Sequence, residues 1–154
     1  MDPRHDSLMA HILNSYTLMS VKQAEEGDIL SPSTVYTAKP DRHLMANPDG
    51  TISRSSSELV NFVRPSTDLL SEFVAASNRI VPIADVLTGA GKDGTMGVQA
   101  IKNMNGTVIV QDEATMEFFG MPGSIIKTEN ADFILSIDEV PSALVSLVNG
   151  GHIA

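Results

Sequence analysis

Asp93 stands in the run Leu87-Thr88-Gly89-Ala90-Gly91-Lys92-Asp93-Gly94-Thr95-Met96-Gly97, a carboxylate set among glycines. Gly89, Gly91 and Gly94 can take φ > 0 at no steric cost, so this stretch can turn sharply and aim backbone N–H groups and the Asp93 carboxylate into a crevice. Two kinds of chemistry suit such a carboxylate. Ahead of a helix it caps free N–H groups and complements the macrodipole. In a crevice it can hold a histidine in one tautomer and stabilise its imidazolium form, the part an acid plays in a nucleophilic triad. The triad needs a histidine and a nucleophile. His5, His11, His43 and His152 are the histidines, and no G-x-S-x-G elbow or serine at a strand-to-helix corner accompanies them. Each histidine is expected to be a surface or packing residue, and none shows the H-x-x-x-H spacing of a metal site.

Gly89 to Gly94 also fits G-x-G-x-x-G, with Asp112 and Glu113 about twenty residues on, as a dinucleotide fingerprint would have them. Asp93 speaks against that reading, because its charge would oppose the pyrophosphate at a helix amino terminus. Only about sixty residues follow the motif, few for the rest of a nucleotide domain. Phe118-Phe119-Gly120-Met121-Pro122 is an apolar knot leading into Gly123-Ser124-Ile125-Ile126, which reads as a tight turn entering a short helix. Core packing accounts for the aromatics and Met121; beside a crevice they would wall a substrate slot.

These residues need elements to carry them. Arg79 to Leu87 is largely apolar and β-branched, as a buried strand is, and Thr95 to Met104 has apolar residues at helical spacing, so the Asp93 run is a strand-to-helix corner. Open α/β sheets place their ligands at such corners. Upstream, Leu8, Met9, Ile12, Leu13 and Tyr16 mark an amphipathic helix over Asp6 to Ser15 that should lie against a sheet, with Asp6 as its cap. Val21–Ala24, Val35–Ala38, Leu44–Ala46 and Thr51–Ser53 are short strands between turn-forming clusters, and this first third reads as hairpins and loops. Ser66 and Asp68 start a helix whose Leu69, Leu70, Phe73 and Val74 face inward. Thr107–Val110 and Asp132–Ser136 are further strands, and Asp138, Glu139 and Pro141 open a last helix carrying Ala143, Leu144, Leu147 and Val148. Alternating strands and helices predict an α/β fold of three layers, a mainly parallel sheet flanked by helices.

At 154 residues the chain has the length of a single domain. Ten basic against nineteen acidic side chains, net charge −9, with no basic cluster, disfavour nucleic acid as a partner. The absence of cysteine removes disulfides and thiolate chemistry and fits a cytoplasmic setting. No apolar stretch approaches the ~20 residues of a membrane span.

Four motifs in register extend the reading. Arg64-Pro65-Ser66-Thr67-Asp68-Leu69-Leu70, Thr88-Gly89-Ala90-Gly91-Lys92-Asp93-Gly94, Gln111-Asp112-Glu113-Ala114-Thr115 and Phe119-Gly120-Met121-Pro122 resemble, in order and spacing, the catalytic domain of the chemotaxis receptor methylesterase of the CheB type. Ser20 to Gly27 and Ala38 to Leu44 extend the resemblance over nearly the whole chain. It implies a Ser-His-Asp hydrolase that removes methyl esters from glutamyl side chains of chemoreceptors and deamidates certain receptor glutamines, with no cofactor. On this resemblance Asp93 matches the triad acid, and the backbone of Gly89, Ala90, Gly91 and Gly94, with Met121 beside it, forms the oxyanion and substrate turn. Ala90 stands where the family usually has methionine and Pro40 where it usually has glycine.

The resemblance also implies a serine in a G-x-S-type turn on a first strand, and a histidine followed by Met-Pro on a second. Counting back from Val21, Met1 falls on the methionine after that histidine, so the first strands, the serine and the histidine are expected to be missing and the chain inactive alone. Loss of nucleophile or base removes most of the chemical rate in such a unit. The expected partner is the cytoplasmic region of a methyl-accepting chemoreceptor. A receiver domain would belong only to a longer form, and an open sheet edge would favour self-association. The competing expectation is a non-catalytic module that keeps a partner-binding surface.

Overall fold

In a computed structural model that describes residues 8–77, 81–151 and 153, the chain divides into two compact units, Met1–Ile80 and Val81–Ala154. The first unit holds helix α1 (Met9–Asn14), strands β1 (Ser20–Gln23), β2 (Thr34–Thr37), β3 (His43–Ala46) and β4 (Ile52–Ser55), and helix α2 (Thr67–Ala76). Helix α1 runs beside β1, and the Asn14 side chain accepts the Val21 N–H at 3.1 Å. None of its residues is buried, so the expected apolar face is only partly covered. The proposed cap, Asp6, lies outside the described residues.

Strands β3 and β4 form the expected hairpin. Asn47-Pro48-Asp49-Gly50 closes it, with Gly50 at φ 88° and the Asp49 carboxylate taking the Thr51 N–H at 2.9 Å. Strands β1 and β2, by contrast, pair in parallel, Val21 opposite Val35, where a hairpin was expected. The cause is visible in the connection. After Gly27, at φ 81°, the chain does not fold back on β1. It is drawn to the start of β4 by Gly27 N–H to Ile52 O, Ile52 N–H to Asp28 O and Leu30 N–H to Gly50 O, all within 2.9 Å. The second strand therefore re-enters from the same end as the first. Ala24, Leu44 and Ile52 form the core of this unit, with Tyr36, Ala38 and Leu70 packed on it. Ser66 caps α2 as expected, its hydroxyl accepting the Leu69 N–H. Arg64, just ahead of it, donates to Asp41 and to the carbonyls of Ser56 and Ser57, pinning the serine-rich stretch.

The second unit holds β5 (Ile83–Val86), α3 (Thr95–Asn103), β6 (Thr107–Gln111), α4 (Gly120–Ile126), β7 (Phe133–Leu135) and α5 (Val140–Val148). The strands lie in the order β5-β6-β7 and are all parallel, as strand-helix alternation predicts. Strand β5 is shorter than the expected Arg79–Leu87, whose first two residues lie outside the described ones. On β6, Val108, Ile109 and Val110 are wholly buried, which fits a central parallel strand covered on both faces. Ile109 packs with Val140 and Ala143 of α5, while α3 and α4 also lie against β6. Helix α4 starts at Gly120, three residues before the expected Gly123, so the apolar knot is itself the first turn of the helix. Asp132 joins the bottom of the sheet, taking the Val108 N–H at 2.8 Å and pairing with Lys102.

Candidate functional site

The Asp93 turn leaves the carboxyl end of β5 and enters α3. Gly91 and Gly94 both sit at φ 99°, in the left-handed region, and Gly94 occupies the cap position of α3. An L-residue at either position would strain the turn. The cap position is thus held by glycine, not by Asp93, whose half-buried carboxylate lies one residue earlier. Gly89 is the third expected flexible glycine, and it does not take positive φ. Its role is proximity. Its N–H donates to Phe118 O at 3.1 Å, its carbonyl takes the Met121 N–H at 2.9 Å, and the Met121 side chain lies 3.5 Å from where a Gly89 Cβ would be.

The turn and the Phe118–Met121 segment are therefore one unit. Phe118 N–H donates to the Thr88 hydroxyl at 2.7 Å. Gly120 seals the contact, since a Cβ there would stand 2.8 Å from Gly91 N and 3.0 Å from Gly91 O. Gly89, Ala90, Gly91 and Met121 are thus brought together, with Ala90 exposed to solvent.

A side-chain network centred on one buried amide fixes these segments to the strand ends. Gln111, the last residue of β6 and almost fully buried, accepts the Thr88 N–H at 2.8 Å and donates to Thr115 O at 2.8 Å. The Thr115 hydroxyl donates to Asp112 at 2.6 Å and accepts the Ile137 N–H beyond β7 at 3.1 Å. One amide and one hydroxyl so link the chain leaving all three strands. Gln111, Thr115, Phe118 and Gly120 carry positioning roles that sequence reasoning did not assign. The available signal was a glutamine ending an otherwise apolar strand, Thr107-Val108-Ile109-Val110-Gln111.

Asp85, on β5, is the one group of this unit, among the described residues, whose carboxyl is pushed above the ordinary aspartate range, and burial is the cause. Its Oδ1 has no hydrogen-bond partner among the described residues. Of the histidines, His11 is exposed on α1 and His43 is fully buried on β3, its Nε2 3.0 Å from Glu58 O. His43 is a packing residue of the first unit. His5 and His152 lie outside the described residues. No cluster of His, Cys, Asp and Glu fit to hold a metal ion occurs among the described residues, and no helix there is long and apolar enough to cross a membrane.

Parallel strands flanked by helices, with a glycine-rich, carboxylate-bearing turn at their carboxyl ends, define an α/β fold, and open sheets of this kind place their ligands at such ends. Comparison with known proteins narrows the class. A family model for the CheB methylesterase matches residues 1–144. A Thermotoga maritima protein-glutamate methylesterase/protein-glutamine glutaminase is 37% identical over 151 residues, 96% of this chain and 44% of that protein. A Leptospira interrogans relative is 36% identical over 94% of this chain and 75% of its own length, and the Myxococcus xanthus protein-glutamate methylesterase FrzG is 32% identical over 92% and 42%. The crystal structure of the Thermotoga maritima CheB methylesterase catalytic domain matches with a TM-score of 0.84 at 37% identity, covering 90% of this chain and 75% of that one. The chain belongs to the CheB methylesterase family, a family of carboxylic ester hydrolases.

Proposed function

We propose that the chain supplies the acid side of a protein-glutamate methylesterase site, with Asp93 as the acid of a Ser-His-Asp triad and the Gly89–Gly94 backbone facing the developing oxyanion. The substrates are glutamyl methyl esters, and glutamines open to deamidation, on the cytoplasmic region of a methyl-accepting chemoreceptor. The setting is the cytoplasm. The observation that carries this reading is the clamped turn: a carboxylate-bearing loop leaving the carboxyl ends of parallel strands, its first residue Thr88 fixed by Gln111 and Phe118, in a chain whose family hydrolyses such esters. In a triad the acid holds the imidazole in one tautomer and stabilises its cationic form, while backbone N–H groups bind the tetrahedral oxyanion.

The same reading holds that the nucleophilic serine and the base histidine are not among these 154 residues, so the chain alone does not turn over. It also allows a receiver domain in a longer form and self-association through an uncovered sheet edge. The experiment is labelling by a serine-directed fluorophosphonate together with methanol release from methylated receptor membranes. The chain alone should give neither. Joined to the first strands of the Thermotoga domain it should give both, and Asp93→Asn should then cost orders of magnitude in turnover. An adduct on the chain alone would overturn the inactivity, and an active fusion indifferent to Asp93→Asn would overturn the triad role. A fusion that binds receptor but forms no adduct would favour the non-catalytic module.

A further inference from the structure

We propose that Asn149 is a self-modification site, where the chain deamidates through a cyclic imide formed with Gly150, and that the product loosens the end of α5. Two asparagines in the chain are followed by glycine, Asn105 and Asn149. The reaction favours that neighbour. The backbone nitrogen of the following residue attacks the asparagine Cγ, and a glycine there puts no Cβ in its path. Each asparagine lies at the end of a helix, Asn105 after α3 and Asn149 after α5. What differs is what must move.

Attack requires the peptide after the asparagine to rotate until its nitrogen faces the side chain, which breaks the bond its N–H makes. At position 105 that peptide leads straight into β6. Gly106 is buried, its N–H donates to Ile101 O at 2.9 Å, and a Cβ there would stand 2.6 Å from the Ile101 side chain and 2.7 Å from Pro82 O. Thr107 N–H donates to Pro82 O at 3.0 Å, and Val108, Ile109 and Val110 beyond it are wholly buried. Rotation there pulls on the central strand and waits for the unit to open. The surroundings of Asn149 are open. Asn149, Gly150 and Gly151 are all exposed, and Gly150 sits at φ 73° with nothing within 4 Å of where its Cβ would be. The bonds to break are Gly150 N–H to Leu147 O at 3.1 Å and Gly151 N–H to Ser146 O at 2.8 Å. Both belong to the last turn of a helix, where fraying breaks them.

Water is the only co-reactant. The Gly150 nitrogen gives its proton to solvent and bonds to Asn149 Cγ, the bond from Cγ to the side-chain nitrogen breaks, and ammonia leaves behind a five-membered imide. Water then opens the ring at Cγ, giving aspartate, or at the main-chain carbonyl, giving isoaspartate with one extra methylene in the backbone. Either product sets a negative charge at the negative end of the α5 macrodipole. The longer backbone of isoaspartate also shifts Gly151 away from Ser146 O. Leu147 and Ile153, on either side of the site, pack against the core of Ile109, Val140 and Ala143, so modification weakens that core at one edge.

The test ages the 154-residue chain in mildly alkaline buffer, with and without urea, and follows tryptic peptides 103–127 and 128–154 by mass spectrometry, fragment ions locating each new acid. In the folded chain Asn149 should convert at least about tenfold faster than Asn105, whereas in urea the two should convert at similar rates. The aged fraction, separated by ion exchange, should melt a few degrees lower than fresh protein. Asn149→Gln, whose longer side chain closes this ring poorly, should keep its midpoint on ageing. No conversion at 149, conversion at 105 as fast or faster in the folded chain, or a preference for 149 that persists unchanged in urea would overturn the site. An unchanged midpoint in the aged fraction, or an equal fall in Asn149→Gln, would overturn the loosening of α5.

Discussion

The Gln111 side-chain carbonyl accepts the Thr88 backbone N–H at 2.8 Å, and through this bond the end of β6 fixes the first residue of the Asp93 turn. With its amide on Thr115 O as well, Gln111 satisfies two backbone groups that no strand pairing reaches. Gln111→Leu should remove both bonds, which are only partly shielded from water, and cost about 1–2 kcal/mol in urea unfolding. Amide exchange at Thr88 and Gly89 should accelerate. Unchanged exchange there would mean the turn holds itself.

Gly120→Ala tests the other side of the clamp. The new Cβ would meet Gly91 N, Gly91 O and Gly89 O at 2.8, 3.0 and 3.2 Å, all backbone atoms with little room to yield. We expect a loss of about 1–3 kcal/mol and amide chemical-shift changes concentrated at residues 89–94. Changes confined to α4 would show that the turn is indifferent to its neighbour.

Asp85 makes stability depend on pH. Its carboxyl is raised in the folded chain by burial, so the folded state binds its proton more tightly than the unfolded state does. The associated stability is fully present below the unfolded value of 3.8 and falls as pH rises through the higher folded value. Asp85→Val should therefore raise the midpoint of thermal unfolding at pH 7 by a few degrees, with the gain shrinking toward pH 3.5. A gain independent of pH would trace to β-propensity alone.

Phe62 offers a local test of backbone strain. Val60 and Val63 bridge a two-residue tip in which Asn61 and Phe62 lie at φ 49° and 67°, and the Phe62 ring is 94% exposed. Glycine at 62 gives up no packing and relieves a conformation that costs an L-residue about 1–2 kcal/mol, offset by its greater unfolded-state freedom. Phe62→Gly should stabilise by up to about 1 kcal/mol, measured as a higher urea midpoint. A lower midpoint would show that the ring contributes a contact in the folded chain.

Much of the second unit was legible because its signals are local. An apolar β-branched run, a glycine turn and a helical repeat follow one another, and β5, α3, β6 and α5 lie where that pattern puts them. The parallel pairing of β1 and β2 was not, because the Glu26-Gly27-Asp28 cluster looks like a hairpin turn until Ile52 and Gly50 compete for its hydrogen bonds. At the candidate site, Asp93 and its glycines announce themselves by composition. Gln111 and Gly120 act through contacts 23 and 29 residues away, Gln111 on Thr88 and Gly120 on Gly91, which no local pattern encodes.

The connection between β1 and β2 has a consequence for how the chain is cut. Residues 24–33 form a parallel crossover of only ten residues with no helix, and it is held at Gly27, Asp28 and Leu30 by the 50–52 backbone. A protease must draw a segment into extended form to cleave it, and three backbone bonds oppose that here. Limited digestion should therefore spare this surface strap.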